Sequence, residues 1–222
     1  MALIPPPPAG LTSGRPKDAA TLLIVRRESG EAKVLMGRRH RGHAFMPDKW
    51  VFPGGRVDRG DFAVPAATEL RADVAAALER TAPARRARAL ACAAIRETFE
   101  ETGLLLAQPA AAGPRWPGFA GVAPDLAALD FVARAITPPA RTRRFDARFF
   151  MADAAALVSL APGTGSGELD ELAWFDWDAA AALDLPAITR AILGEVALRL
   201  TDPARSIPFH RFLSGGHRLE TI

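Results

Sequence analysis

A strand that stops on a double glycine, followed further along by one helical turn crowded with carboxylates, constrains this chain more than any other feature. The turn is RETFEETG, Arg96 to Gly103, and it holds Glu97, Glu100 and Glu101. Residues three and four apart share a helix face. The three carboxylates therefore project together, with Ile95, Phe99 and Thr102 on roughly the opposite side, toward a core. The cluster sits near the C-terminal end of its helix, where the macrodipole disfavours each anion by about a few tenths of a kcal/mol. No lysine lies one turn away to neutralise them. A divalent cation would remove both penalties, and oxygen-only ligands suit Mg²⁺ or Mn²⁺. Upstream, FPGGRVDRGD (52–61) ends a strand on Gly54–Gly55 and then returns Asp58 and Asp61. Glycines let backbone approach a ligand or metal closely, so the two segments together describe a phosphate-and-metal pocket.

The surrounding pattern is that of one mixed α/β domain, a sheet between helix layers. Residues 1–16 are Pro- and Gly-rich and read as a flexible tail, leaving 17–222 as a single domain. AATLLIVRR (19–27) and KVLMGRR (33–39) read as a strand hairpin, and KWVFPGG as a short strand. Residues 66–80 and 84–106 have helical character, with a break near Pro83. LDFVARAIT (129–137), RFDARFFMAD (144–153) and LAWFDW (172–177) read as further strands. DAAAALDL and LPAITRAILGEVALRL are expected to close the chain as helices. Cys92 is the single cysteine, which excludes an internal disulfide and a thiolate zinc cluster. The start lacks the basic and apolar regions of a secretory signal, and no apolar run reaches membrane-spanning length, so the expected setting is cytoplasmic with no membrane contact. A net charge of +3 and a pI near 9.7 suit an anionic substrate. The charge is not gathered into a long basic run, which argues against nucleic acid.

On these residues the chain resembles the Nudix hydrolases. Their signature runs G, five residues, E, seven residues, then R-E-U-x-E-E-x-G-U, with U usually aliphatic. Gly55 fits the first glycine, and Arg96, Glu97, Glu100, Glu101, Gly103 and Leu104 fit the second half. Asp61 stands at the first Glu position and Thr98 at an aliphatic one. The spacer from Asp61 to Arg96 is about 27 residues longer than usual. An FPGG…D half and an RETFEE half split by an insertion, here 62–89 and expected to be helical, resemble the acyl-coenzyme A diphosphatase-like branch. Loop closure costs grow only logarithmically with length, so the halves can still meet.

The resemblance implies a Nudix-type α/β/α sandwich and metal-dependent hydrolysis of a nucleoside diphosphate linked to another group. Coenzyme A or acyl-coenzyme A is the leading substrate; ADP-ribose, dinucleoside polyphosphates and nucleotide sugars stay open, as does a non-catalytic nucleotide sensor. It further implies Glu97, Glu100, Glu101 and the Gly54 carbonyl as metal ligands for Mg²⁺ or Mn²⁺. Glu97 is a ligand or the general base, with Glu168 and Glu171 as late-loop alternatives. Gly55, Asp61, Arg96 and Gly103 are structural, with Arg96 holding Asp61. Two arginine groups, Arg38, Arg39 and Arg41, and Arg141, Arg143 and Arg144, could clamp a diphosphate, with His40 and His43 assisting. Trp50, Trp174 and Trp177 read as core or pocket wall. The glycines of GTGSG are not a dinucleotide fingerprint, because a strand follows where a helix is required. Polyphosphate-RNA processing rests on the pI alone. The partner expected is a small nucleoside diphosphate derivative, and a homodimer is compatible with the sequence.

Overall fold

The computed structural model describes residues 14–28, 30–42, 46–139, 141, 143–163, 165–213 and 216–222. Most of the expected tail, 1–13, and His43 lie outside the described residues.

The centre of the fold is β1 (Lys17–Glu28). Its middle is a continuous apolar run, as expected of a strand covered on both faces. Leu22 and Ile24 enter one core layer, and Leu23 and Val25 enter the other. β2 (Glu31–Arg39) returns antiparallel to β1, pairing Val25 with Val34. β3 (Trp50–Val51) pairs with the end of β2, Val51 with Gly37 and Trp50 with Arg38. β4 (Gly54–Arg56) comes back to β1 and pairs Thr21 with Gly54 and Ala20 with Gly55. A 3₁₀ turn, Arg59–Ala63, follows. Then come α1 (Ala72–Glu79) and the long α2 (Ala84–Thr102). A small separate ribbon, β5 (Ala107–Pro109) with β6 (Val122–Pro124), precedes the next sheet strands.

Those strands are β7 (Asp130–Ile136), β8 (Phe145–Asp153) and β9 (Leu169–Asp176). β8 lies parallel to β1, and β9 antiparallel to β2. α3 (Trp177–Ala182) and α4 (Ala187–Thr201) follow. Among the described residues the large sheet is mixed and has nine strands. Residues of α1 and α2 pack into the core on one of its faces, and residues of α3 and α4 into the core on the other. This is the expected α/β/α sandwich.

Three expectations need correction. The first helix begins at Ala72 rather than 66, because 64–71 is irregular, held where Thr68 bridges to Asp125 and Arg71 bonds the carbonyls of Ala127 and Leu129. The second ends at Thr102 rather than 106: Gly103 takes a left-handed conformation (φ 72°) and its N–H donates to the Phe99 carbonyl. The chain also does not close on helices. β10 (Pro208–Leu213) and β11 (Gly216–Thr221) form a final hairpin that extends the sheet, β10 lying parallel to β7. Its polar, half-exposed face hides the alternation that marks a strand.

Gly103 is fixed by more than its backbone angle: a Cβ there would lie 2.4 Å from the Gly163 backbone. Gly103→Ala is therefore expected to cost about 2 kcal/mol or more and to lower Tm by roughly 5 °C in a calorimetric scan.

Candidate active site

The insertion does not separate the two halves of the motif, because one buried arginine joins them. Arg96 is 7% exposed and Asp61 fully buried. Arg96 Nε and Nη2 donate to the two Asp61 carboxylate oxygens at 2.8 and 3.0 Å. Nη2 also donates to the Arg56 carbonyl at 3.0 Å. Asp61 accepts a further bond from the Asp58 N–H at 2.7 Å. The shorter aspartate reaches Arg96 because the 3₁₀ turn brings its backbone in close. Burial works against the Arg96 charge, but the hydrogen bonds and charges of Asp61, Glu97 and Glu100 outweigh it and raise its pKa.

The same guanidinium orders the carboxylates. Nη1 lies 2.9 Å from Glu97 Oε1 and 3.0 Å from Glu100 Oε2. Glu101, 3% exposed, turns the other way and accepts from the Gly54 N–H at 3.0 Å. The double glycine is required by packing. A Cβ on Gly54 would lie 2.5 Å from the Ala20 carbonyl oxygen, and one on Gly55 would lie 2.4 Å from the Glu97 carboxyl. Burial pushes the Glu97 carboxyl up to about 7, with Arg96 opposing and Glu100 and Asp61 adding. Burial pushes Glu101 up to about 8; Arg39 and the Gly54 N–H oppose, while Glu97 and Glu168 add.

The glycine-rich loop turns out to cap the C-terminal end of α2. Gly163 N–H donates to the Thr102 carbonyl at 3.1 Å and Ser166 N–H to the Glu100 carbonyl at 2.6 Å. A Cβ on Gly165 would sit 2.1 Å from the Glu101 carbonyl oxygen. These bonds satisfy carbonyls that a helix end leaves without partners. They also deliver Glu168, whose carboxylate lies 3.8 Å from Arg39 and near enough to Glu101 to raise its proton affinity. Thr98, at the aliphatic position of the motif, is buried at no polar cost, since its hydroxyl donates to the Ala94 carbonyl at 2.8 Å.

Not every expected residue joins this group. Glu171 pairs with Arg38 at 3.1 Å. Both share the sheet face of Met36, the one covered by α4, whereas Leu35 faces α2. The pair is thus across the sheet from Glu97 and Glu101. Arg41 is exposed and bonds Asp48. Arg144 donates to the carbonyls of Thr137 and Gly14, tying down the β7–β8 turn; Arg143 and Arg141 are exposed on it. That turn enters β8 opposite Lys17, four residues along β1 from the partner of Gly54, or about 13 Å at strand rise. His40 is exposed and accepts from the Gly42 N–H. Trp50 packs edge-on to Phe175, Trp174 lies against one core layer and Trp177 against the other. Cys92 is a buried thiol, which burial pushes up to about 12.

Phe99 departs from expectation more usefully. It borders the apolar stripe yet also lines a cleft of about 250 Å³ with Arg96, Glu100, Trp116 and Phe119. Trp116 and Phe119 belong to no motif; their one signal in the sequence is a tryptophan set between glycines and prolines in GPRWPGF.

Among the described residues no three His, Cys, Asp or Glu side chains already group as an ion cage. The donor chemistry nevertheless fits a hard cation. Glu97, Glu100 and Glu101 each engage one oxygen with Arg96 or Gly54 and keep the other. Two of them, half-buried Glu97 and buried Glu101, resist ionisation without a cation.

No protein-family model matches the sequence, and no curated protein does. Solved structures do. A NUDIX hydrolase from Alicyclobacillus acidocaldarius is 27% identical, with a TM-score of 0.62 over 85% of this chain and 93% of that one. This chain has the fold of the Nudix hydrolases. The MutT protein from Methanosarcina mazei Go1 (19% identity, TM-score 0.51, 85% of this chain and 98% of that one) has the same fold. So does the NUDIX domain of Shewanella oneidensis NrtR, solved with ADP-ribose (12%, 0.51, 84% and 90%). Residues 62–89, the expected insertion, hold α1 and the first turns of α2, so RETFEETG rides on the C-terminal end of a continuous helix.

Removing one partner of a buried pair strands the other, so Asp61→Ala is expected to lose about 3–5 kcal/mol in urea unfolding. A pH effect follows from the carboxyls. Folded Glu97 and Glu101 hold their protons more tightly than in the unfolded chain. Their contribution to stability is full below about pH 4 and is lost as pH rises through about 7 and 8. With chelator present, Tm should fall from pH 5.5 to 8.5, and added Mg²⁺ should raise it more at pH 8.5 than at 5.5. Equal Mg²⁺ effects at both values would contradict this.

Proposed function

We propose that this chain hydrolyses the diphosphate linkage of a small nucleoside diphosphate derivative, using Mg²⁺ or Mn²⁺. The observation that carries the proposal is the burial of Glu97 and Glu101 against Gly54–Gly55, with Arg96 and Asp61 fixing the helix that bears them. Bound there, divalent ions would acidify water and neutralise phosphate oxygens that gain charge. Glu97, Glu100 and Glu101, with the Gly54 carbonyl, are the groups to hold them. Arg96 keeps Glu97 and Glu100 oriented and takes no part in bond breaking. Glu168 is assigned as the general base, since its loop places it beside Glu101 without tying it to Arg96; Glu97 is the alternative. Arg39, near both Glu101 and Glu168, is the arginine placed to meet a diphosphate oxygen.

Coenzyme A or acyl-coenzyme A is the substrate favoured by the split box and its resemblance to the diphosphatase branch. ADP-ribose or a nucleotide sugar is the second reading, in keeping with the ADP-ribose held by the NrtR domain. A sensor that binds without cleaving is the reading the Asp61 substitution would favour, but the Arg96 contact it makes is intact.

The test is a screen of coenzyme A, acetyl-coenzyme A, ADP-ribose and a nucleotide sugar with Mg²⁺ or Mn²⁺, with products separated by chromatography. Glu101→Gln should lower kcat at least roughly 100-fold while leaving Tm within a few degrees, since lost charge stabilisation of about 3 kcal/mol corresponds to that factor. Near wild-type kcat in that variant refutes the assignment. Calorimetric binding with no product over hours would establish the sensor instead. Glu168→Gln should lower kcat with little change in KM and remove the acidic limb of the pH–rate profile.

A further inference from the structure

Nothing in the motif explains the cleft beside Glu100. Its walls are rings and its near end is the site itself: Arg96 and Glu100 belong to both. We infer that this cleft is a subsite for the planar nucleobase end of the substrate, with Trp116 as the ring that stacks on it. The inference rests on the diphosphatase reading for what occupies the carboxylate end.

Three observations carry it. First, the rings are held in place without a ligand. Phe119 is buried and stands edge-on to both Phe99 (centroids 5.3 Å, 80°) and Trp116 (5.1 Å, 86°). A Cβ on Gly118 would lie 2.2 Å from the Phe99 ring, so the loop backbone is pressed onto it. Trp116, by contrast, is only half-buried and keeps surface facing the cleft. A rigid aromatic wall of this kind costs little ordering entropy on binding.

Second, the size selects one end of a ligand. About 250 Å³ is below the roughly 300–1,000 Å³ of pockets that hold a whole drug-sized molecule. Third, the direction is right. Glu100 lies three residues after Glu97, on the same helix face and so about 5–6 Å from it, and it also lines the cleft. A ligand with its phosphates at the carboxylates therefore brings its other end to the rings after one short spacer. The rim adds the Ser166 hydroxyl and the Glu100 carboxylate. Apolar faces with polar groups at the edge match a heterocycle, whose ring atoms can bond that edge; an aliphatic chain makes no use of it. Stacking on an aromatic face tolerates any base, so the subsite selects for a ring rather than for a particular one.

The test measures binding of ADP, inorganic pyrophosphate and butyl diphosphate by calorimetry in Mg²⁺, to the full chain and to Trp116→Ala and Trp116→Phe. Trp116→Ala should weaken ADP about 10-fold and leave pyrophosphate unchanged, which also reports that the carboxylate end is still folded. Trp116→Phe should keep most of the ADP affinity but lose the ADP-induced quenching of tryptophan fluorescence. Wild-type affinity for ADP in Trp116→Ala overturns the inference, as does butyl diphosphate binding as tightly as ADP. The two readings fail separately. ADP binding that depends on Trp116, with no diphosphate cleaved, removes the hydrolase and keeps the subsite. Turnover with ADP affinity indifferent to Trp116 removes the subsite alone.

Discussion

The contact between Arg96 and Asp61 is the constraint on which the rest of the site depends. The two residues are 35 positions apart, and a whole helix and half of another lie between them. A buried ion pair of this kind is not a large source of net stability, because taking both charges out of water offsets most of their attraction. What it does is fix register. Arg96 can satisfy its fork only when α2 is at one height and one rotation relative to the 3₁₀ turn and β4. That placement puts Glu101 under the Gly54 N–H and Glu97 against Gly55.

The site that results is electrostatically frustrated. Two carboxyls, Glu101 buried and Glu97 half-buried, lie at the negative end of a helix, and desolvation holds both well above the usual carboxylate range. The fold tolerates this through polar contacts that cost it little. One guanidinium reaches Glu97 and Glu100, one strand N–H reaches Glu101, and loop N–H groups cover the helix carbonyls. Small residues are needed wherever these pieces meet. Gly54, Gly55, Gly103 and Gly165 each lie where a Cβ would come within 2.5 Å of backbone or carboxylate. The GTGSG loop therefore has a structural reason to be rich in glycine, independent of any cofactor. It lies on the end of α2 and carries Glu168 in with it.

Much of this was legible in the chain itself. The strands Leu22–Val25 and Val34–Met36, the strand stop at Gly54–Gly55 and the carboxylate turn follow from short-range pattern, because apolar runs, glycines and i, i+4 spacing act within a few residues. The role of Arg96 toward Asp61 was also expected, and the shorter aspartate reaches it because the backbone moves in, which no sequence pattern states. The final hairpin escaped because its partner, β7, lies far away in the chain and one of its faces is polar.

Sequence alone thus determined which residues carry charge and where glycine must stand. Tertiary structure decided which of them meet. It put Glu168 and Glu171, three residues apart, on opposite sides of the matter: one beside Glu101, the other paired with Arg38 across the sheet. It also brought Trp116 from a distant loop to the helix that carries Glu100. The reason is physical. Side-chain type sets what a group can do, but strand alternation, a bulge between Arg38 and Arg39, and the packing of a loop on a helix end set where it points. Those depend on contacts between segments far apart in the chain.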